Sequence, residues 1–215
     1  DFPWEIELAG EIPPATETLR EVIVDAAGGE GVFTTLQAAM SDVVASDACA
    51  RIIVREGHYG ETVTIRFPVE IVADGEVTIE SNEGAPIVSH KQNAILRGLT
   101  LVSGQDEEGD TMQGVYHEGF HLKLERCTIR SARCGVYAHT KNAFLVMEKC
   151  TIESAANSGV LLEDGAHASI VDTTIRKTGF AGILAKGDGE LSIESSRIED
   201  TKNSGLAVSE GVWLE

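Results

Sequence analysis

Four related segments follow one another at a fixed spacing: Leu124-Glu-Arg-Cys-Thr-Ile129, Met147-Glu-Lys-Cys-Thr-Ile152, Ile170-Val-Asp-Thr-Thr-Ile175 and Ile193-Glu-Ser-Ser-Arg-Ile198. The final isoleucines are 23 positions apart, and each segment leads through a small turn to a glycine followed by an aliphatic residue. A fixed period of this length indicates a repeat architecture. Within each repeat the apolar residues alternate with polar ones, which is typical of short strands.

A 23-residue unit with three short strands cannot bury its inner face by itself. Equivalent strands of successive units can, however, stack in parallel about 4.8 Å apart and complete each other's backbone hydrogen bonds. The sequence therefore predicts a parallel β-helix in which residues 23 apart lie above one another. We expect two interior columns, one of small residues and one of isoleucines: Cys127, Cys150, Thr173 and Ser196, and Ile129, Ile152, Ile175 and Ile198.

An earlier copy of the repeat, residues 96–101, ends 28 residues before Ile129, so we predict an acidic loop at 104–110 inserted into one coil. Before it, apolar positions 36, 39, 40, 43 and 44 share one face of a predicted helix over about 34–46. Such a helix can cover the open end of a solenoid. We predict an N-terminal arm at 1–20 and a single domain at 21–215, with regular coils from about residue 93.

Composition narrows the set of partners. The 215 residues include 35 acids and 17 bases, for a net charge of −18, which disfavours nucleic acid and anionic membranes as partners. We expect no membrane span, because no apolar run reaches about 18 residues. The four cysteines form no CxxC pair and are expected to be free thiols, which favours an intracellular location, although a removed leader stays open. The C-terminal end of the solenoid is expected to contact a partner or missing sequence.

Two stretches carry a resemblance to a known family. Residues 24–39, Val-Asp-Ala-Ala-Gly-Gly-Glu-Gly-Val-Phe-Thr-Thr-Leu-Gln-Ala-Ala, and residues 51–65, Arg-Ile-Ile-Val-Arg-Glu-Gly-His-Tyr-Gly-Glu-Thr-Val-Thr-Ile, resemble the opening of pectin methylesterases and related pectin-lyase-like proteins. The repeats after residue 90 resemble those of carbohydrate-binding and sugar-hydrolase β-helices. The resemblance implies an all-β, right-handed, three-sheet parallel β-helix with a short N-terminal capping helix. It does not imply esterase activity, because the paired catalytic aspartate motifs and the Arg-Pro-Trp motif of that family do not occur here.

One outward-facing column is predicted to be apolar, because the position after each glycine–aliphatic pair carries Tyr116, Tyr137, Leu161 or Leu184. An exposed apolar stripe marks a site of sugar stacking or protein contact. The alternative, which stays open, is that residues 1–20 pack over the stripe and bury it within the chain.

Two polar groups are weaker candidates for chemistry. His139, Glu163 and Lys186 are expected to form one outward column that could perform acid–base work, but such a row is more often a surface charge ladder. The loop acids Asp106, Glu107, Glu108 and Asp110 offer the oxygen ligands that Ca²⁺ prefers, but they lack the spacing of a known calcium loop. We therefore predict no cofactor, with Ca²⁺ as the one alternative.

The sequence favours a non-catalytic solenoid that binds a protein or a glycan along one face, as a possible subunit of a larger assembly. The alternative is a polysaccharide-active lyase or hydrolase that works in a groove beside the 104–110 loop. Cleavage of a glycoside needs two carboxyl groups that face each other across the sugar. No lyase, hydrolase or methylesterase motif was found, so catalysis stays undecided.

Overall fold

The computed structural model describes residues 20–45, 50–104, 112–130, 133–209 and 211–214. In these residues the chain forms one helix, α1 (Leu36–Ala45), and eighteen strands. The strands are β1 (Arg20–Val24), β2 (Ala50–Gly60), β3 (Val63–Ile65), β4 (Val69–Ser81), β5 (Ile87–His90), β6 (Ala94–Ser103), β7 (Val115–Glu125), β8 (Thr128–Arg130), β9 (Val136–Glu148), β10 (Thr151–Glu153), β11 (Val160–Glu163), β12 (His167–Val171), β13 (Thr174–Thr178), β14 (Ala181–Ala185), β15 (Glu190–Glu194), β16 (Arg197–Thr201), β17 (Ser204–Val208) and β18 (Trp213–Leu214).

The strands wind into a right-handed parallel solenoid of about 7 turns, which confirms the predicted fold class. Three sheets run along it, and several long strands bend from one sheet into the next. Sheet A contains β1, β12, β15, β18, the first halves of β2, β4 and β6, and the second halves of β7 and β9. Sheet B contains β8, β10, β13, β16 and the second halves of β2, β4 and β6. Sheet C contains β3, β5, β11, β14, β17 and the first halves of β7 and β9.

The strand register confirms the predicted isoleucine column. Ile129 pairs with Ile152, Ile152 with Ile175, and Ile175 with Ile198, all in parallel strands of sheet B. The first three are fully buried, and Ile198, in the last complete coil, is partly buried against the same core. Outside this column Arg130, Glu153, Arg176 and Glu199 stack in register with alternating charge, and Glu153 pairs with both arginines. The carboxylate of Glu199 pairs with Arg197.

The bend between sheets A and B has a constant geometry. One residue per coil adopts a left-handed backbone there, at Gly98, Arg126, Lys149, Asp172 and Ser195. The next residue in the four regular coils is a cysteine, threonine or serine whose side chain donates to the carbonyl two positions earlier, over 2.8–3.5 Å. These side chains are Cys127, Cys150, Thr173 and Ser196. The predicted column of small residues is therefore a column of hydrogen-bond donors, which give a second partner to carbonyls, such as those of Glu148 and Val171, that already accept a backbone amide of the preceding coil.

Helix α1 covers the first coil, as predicted, over a slightly shorter range than 34–46. The hydroxyl of Thr35 accepts a hydrogen bond from the Ala38 amide, so Thr35 is the N-cap. The carboxylate of Glu61, from the turn before β3, accepts from the amides of Leu36 and Gln37 at 2.9 and 2.8 Å. Of the predicted apolar face, only Val44 points outward. The side chain of Glu61 therefore ties the cap to the solenoid.

Several predictions fall outside the described residues, namely most of the arm at 1–20, most of the loop at 104–110, and Cys49. Cys127, Cys134 and Cys150 are buried free thiols. Of the residues that the structure describes, none forms a helix with the length and apolar character that a membrane crossing requires. The division into an arm and a single domain stays a prediction.

The glycines that open the strands of sheet C are required by close contact between coils. A β-carbon at Gly159 would collide with Cγ2 of Ile175 and would lie 2.7 Å from the carbonyl oxygen of Gly182. Gly135 and Gly182 are confined in the same way by the next coil. At Gly205, the nearest atom to such a β-carbon is Cγ2 of Ile198, 3.8 Å away. The isoleucine column thus requires a glycine column beside it.

We predict that Gly159→Ala lowers the free energy of unfolding by about 1–3 kcal/mol, because the added methyl group overpacks the contact between coils. Gly205→Ala is the matched control and should be neutral or slightly stabilising, since alanine restricts the unfolded chain. Urea unfolding followed by circular dichroism measures both variants. Equal stabilities for the two variants would contradict the close-contact explanation.

The core of sheet C contains one histidine. His117 is fully buried, stacks in register with Ser89 on one side and Ala138 on the other, and its Nε2 donates to the carbonyl of Phe120 at 3.0 Å. Burial lowers the pKa of His117 to about 4, because the charged ring cannot be hydrated there. The folded protein therefore holds a neutral imidazole in its interior at neutral pH.

Because His117 is buried in its neutral form, we predict that the folded protein loses stability in acid. The unfolded state binds the His117 proton with a pKa of about 6.5, and the folded state binds it only near pH 4. Stability that is present above pH 6.5 is therefore lost as the pH falls towards 4, by about 3 kcal/mol from this group. We expect His117→Gln to lack this loss, while His58→Gln, at an exposed histidine of sheet B, retains it. Urea titrations at several pH values test this, and parallel pH profiles for wild type and His117→Gln would refute it.

Candidate functional site

The predicted apolar stripe lies on the outer face of sheet C. Tyr116 is in register with Tyr137, Tyr137 with Leu161, and Leu161 with Leu184. All four side chains are partly exposed. Three coil-to-coil steps give the stripe a length of about 14 Å. We call these four residues the tyrosine stripe.

A second column runs beside the stripe, two residues later in each strand. It stacks His90, Glu118, His139 and Glu163 in register. Lys186 follows β14, and its ammonium group donates to Oε1 of Glu163 at 2.8 Å. The structure thus places the predicted His139, Glu163 and Lys186 in one row and extends the row by two residues. We call these five residues the polar column.

Hydrogen bonds and ring contacts join the two columns into one patch. The hydroxyl of Tyr116 lies 2.6 Å from Nε2 of His139, and the hydroxyl of Tyr137 donates to Oε2 of Glu163 at 2.9 Å. The rings of Tyr137 and His139 are stacked with centroids 5.3 Å apart, and the two tyrosine rings meet edge to face at 5.7 Å. Each tyrosine is therefore held by a polar group of the next coil, which fixes its ring against the sheet.

The carboxylates of this patch are charged. The hydrogen bond from Lys186 lowers the pKa of Glu163, and the Tyr137 hydroxyl adds to that effect. A hydrogen bond from Nδ1 of His90, at 2.9 Å, lowers the pKa of Glu118, and Lys91 adds a nearby charge. Burial and the contact with Glu163 raise the pKa of Tyr137, so its hydroxyl keeps its proton. At neutral pH the patch therefore combines two carboxylates with proton-bearing donors.

A separate aromatic stack lies on the outer face of sheet A. Phe144 sits between His121 and His167 in register, with ring centroids 4.9 and 4.7 Å from theirs. Because Phe144 occupies both inner ring faces, the two imidazoles do not converge on a common point.

No group of three or more histidine, cysteine, aspartate or glutamate side chains within the described ranges is arranged to hold a metal ion. The predicted calcium ligands Asp106, Glu107, Glu108 and Asp110 lie outside those ranges, so the calcium hypothesis stays a prediction. A cleft of about 560 Å³ lies at the edge between sheets B and C. Its lining includes His58, Glu61 and Glu80, but Glu61 caps helix α1 and Glu80 pairs with His58.

Sequence patterns identified the stripe but missed part of the patch. His90 was not predicted because it precedes the first regular repeat, where the spacing is 28 residues. Glu118 was visible in the pattern, one step from His139, yet nothing indicated its pairing with His90 and Lys91. Phe120 was also missed; it is half exposed in the turn from sheet C to sheet A and has a left-handed backbone with a φ of 64°. That strained conformation leaves no sequence signal, since phenylalanine rarely adopts it.

Comparison with known proteins agrees with this architecture. The family described as "Right handed beta helix region" matches residues 113–212. No curated protein sequence matches the chain.

Three solved structures show the same fold. A mutant pectin methylesterase in complex with a hexasaccharide has a TM-score of 0.63 at 12% identity, over 88% of this chain and 67% of its own. A second pectin methylesterase–hexasaccharide complex has a TM-score of 0.61 at 12% identity, with the same coverage. The pectin methylesterase PemA from Erwinia chrysanthemi has a TM-score of 0.63 at 13% identity, over 90% of this chain and 68% of its own. The chain therefore has the pectin-lyase-like solenoid fold.

Proposed function

We propose that the protein is a non-catalytic solenoid that binds a glycan along the outer face of sheet C. The observation that carries this proposal is the joined patch of the tyrosine stripe and the polar column. It places two fixed, partly exposed aromatic rings beside a row of hydrogen-bonding groups. Tyrosine provides an apolar ring and a polar hydroxyl together, which suits a ligand whose faces are apolar and whose edges carry hydroxyl groups.

The shape of the patch and the fold support a glycan over a protein partner. The stripe is straight and repeats at each coil, so a chain of repeating units can lie along it in a constant geometry. Two of the similar structures are pectin methylesterases in complex with a hexasaccharide. Flat protein interfaces generally bury about 800 Å² on each partner, which is more than a stripe of four side chains offers.

The protonation of the patch supports binding without chemistry. A general acid for glycoside cleavage must keep its proton near neutral pH, and enzymes achieve this by raising the pKa of a carboxyl group. Here the hydrogen bond from His90 lowers the pKa of Glu118, and the hydrogen bond from Lys186 lowers the pKa of Glu163. Both carboxylates are therefore suited to accept hydrogen bonds from a ligand.

Isothermal titration with a panel of soluble oligosaccharides and polysaccharides tests the proposal. We predict that Tyr116→Ala and Tyr137→Ala each weaken binding by about tenfold, since each removes a stacking ring. Trp213→Ala is the matched control, because it removes an exposed aromatic ring from sheet A. Circular dichroism checks that each variant is folded.

Three outcomes would refute the proposal. The first is that no glycan of the panel binds. The second is that both tyrosine variants bind as the wild type does, which would place the ligand elsewhere. The third is the release of reducing or unsaturated sugar during incubation, which would favour the enzymatic alternative.

A further inference from the structure

We infer that the outer face of sheet C selects neutral glycans and rejects anionic ones. This inference rests on the proposed glycan binding and specifies the class of sugar. It follows from three observations. They are the charges on the seven strands of the sheet, the ion pairs of Lys91 and Lys186 beside these strands, and the hydrogen bonds that a sugar can make with a carboxylate.

Apart from their histidines, the strands of sheet C carry only negatively charged side chains. All seven lie within the described residues, and they contain two carboxylates, Glu118 and Glu163, but no lysine and no arginine. Recognition of a carboxylate or phosphate generally uses arginine in a two-pronged contact, or lysine as a point charge. The strands that would hold an acidic sugar therefore present the charge that repels it.

The lysines that contact this face are engaged with the same carboxylates. Lys186 donates to Glu163 at 2.8 Å, and the ammonium group of Lys91 lies 3.6 Å from Oε1 of Glu118. Lys141 lies in the turn towards sheet A, beside Gly165. An acidic sugar that bonds either lysine comes beside the carboxylate with which that lysine already pairs, so two negative charges are brought close together and repel each other.

Neutral sugars match the same groups. The hydroxyl of a neutral sugar donates to a carboxylate, whereas the ionised carboxylate of a uronic acid has no proton to donate. Both oxygens of Glu163 accept one hydrogen bond within the protein, from Lys186 and Tyr137 respectively, and each oxygen has a further lone pair for a ligand. The net charge of −18 adds a long-range repulsion against anionic chains.

A pectin series tests the inference with one sugar backbone. Polygalacturonates of increasing methyl esterification differ mainly in their charge, and we expect affinity to rise by about tenfold or more from the unesterified to the highly esterified chain at about 20 mM salt. The difference should shrink at about 150 mM salt, because the repulsion is screened. A neutral galactan and a neutral glucan serve as uncharged references.

The outcomes separate this inference from the proposed function. Tighter binding of unesterified polygalacturonate than of its esterified form would overturn the neutral selectivity and leave glycan binding standing. Absence of binding to every chain, the neutral references included, would overturn the proposed function itself. Equal affinity across the esterification series would also overturn the selectivity.

A pair of charge-matched variants locates the effect. Glu163→Gln removes one negative charge from the polar column, and we expect it to reduce the preference for the esterified chain several-fold. Glu153→Gln removes one negative charge from sheet B, where Glu153 pairs with Arg130 and Arg176, and should leave the preference unchanged. An equal reduction in both variants would assign the selectivity to net charge alone and overturn its location on sheet C.

Discussion

The bend between sheets A and B is the constraint on which the solenoid depends. Each of the four regular coils turns there through one residue in a left-handed conformation, and the side chain that follows donates to the carbonyl two positions earlier. A small side chain with a donor at the γ position makes this bond and still fits under the next coil. Cys150 and Thr173 meet both requirements, and the hydroxyl of Thr173 also accepts from the amide of Cys150, so the donors connect successive coils as well. The isoleucine and glycine columns then pack against a bend of fixed shape.

The regular spacing of side chains on the outer face of sheet C results from the packing of these interior columns. Because Gly135, Gly159 and Gly182 are each pressed against the next coil, the residues after them are placed at the same height and angle each time. Tyr116 and Tyr137 lie one coil apart in register, and each can bond to a polar group one coil further along the polar column. Backbone stacking supplies the rigidity that a binding face needs, and the surface side chains determine which ligand groups the face can bind.

Much of this architecture could be predicted from the sequence, because a parallel solenoid converts spacing along the chain directly into contact in space. Residues 23 apart had to meet in sheet B, so the isoleucine column followed from counting. The steps of the tyrosine stripe are 21, 24 and 23 residues, so the stripe followed instead from its position after each glycine–aliphatic pair. Contacts that depend on the direction of one side chain could not be predicted from the spacing. The cap formed by Glu61, the pairing of Glu118 with His90 and the buried imidazole of His117 require knowledge of turn shapes and of which way a side chain faces. Hydrogen-bond donation by Cys127 was hidden for the same reason, since cysteine is usually interpreted as a small apolar residue.

The repetition of the coil has a consequence for how such a surface can change. A chain built this way can gain or lose whole coils without disturbing any column, so the ligand platform lengthens or shortens in increments of about 4.8 Å. Shorter insertions are tolerated only in the turns between sheets, where no column of stacked side chains is interrupted. The coil between Leu101 and Ile129 has five additional residues, and they fall in the connection from sheet B to sheet C. The length of the binding face thus changes by duplication of a coil. Its chemistry changes by single substitutions on the outer face.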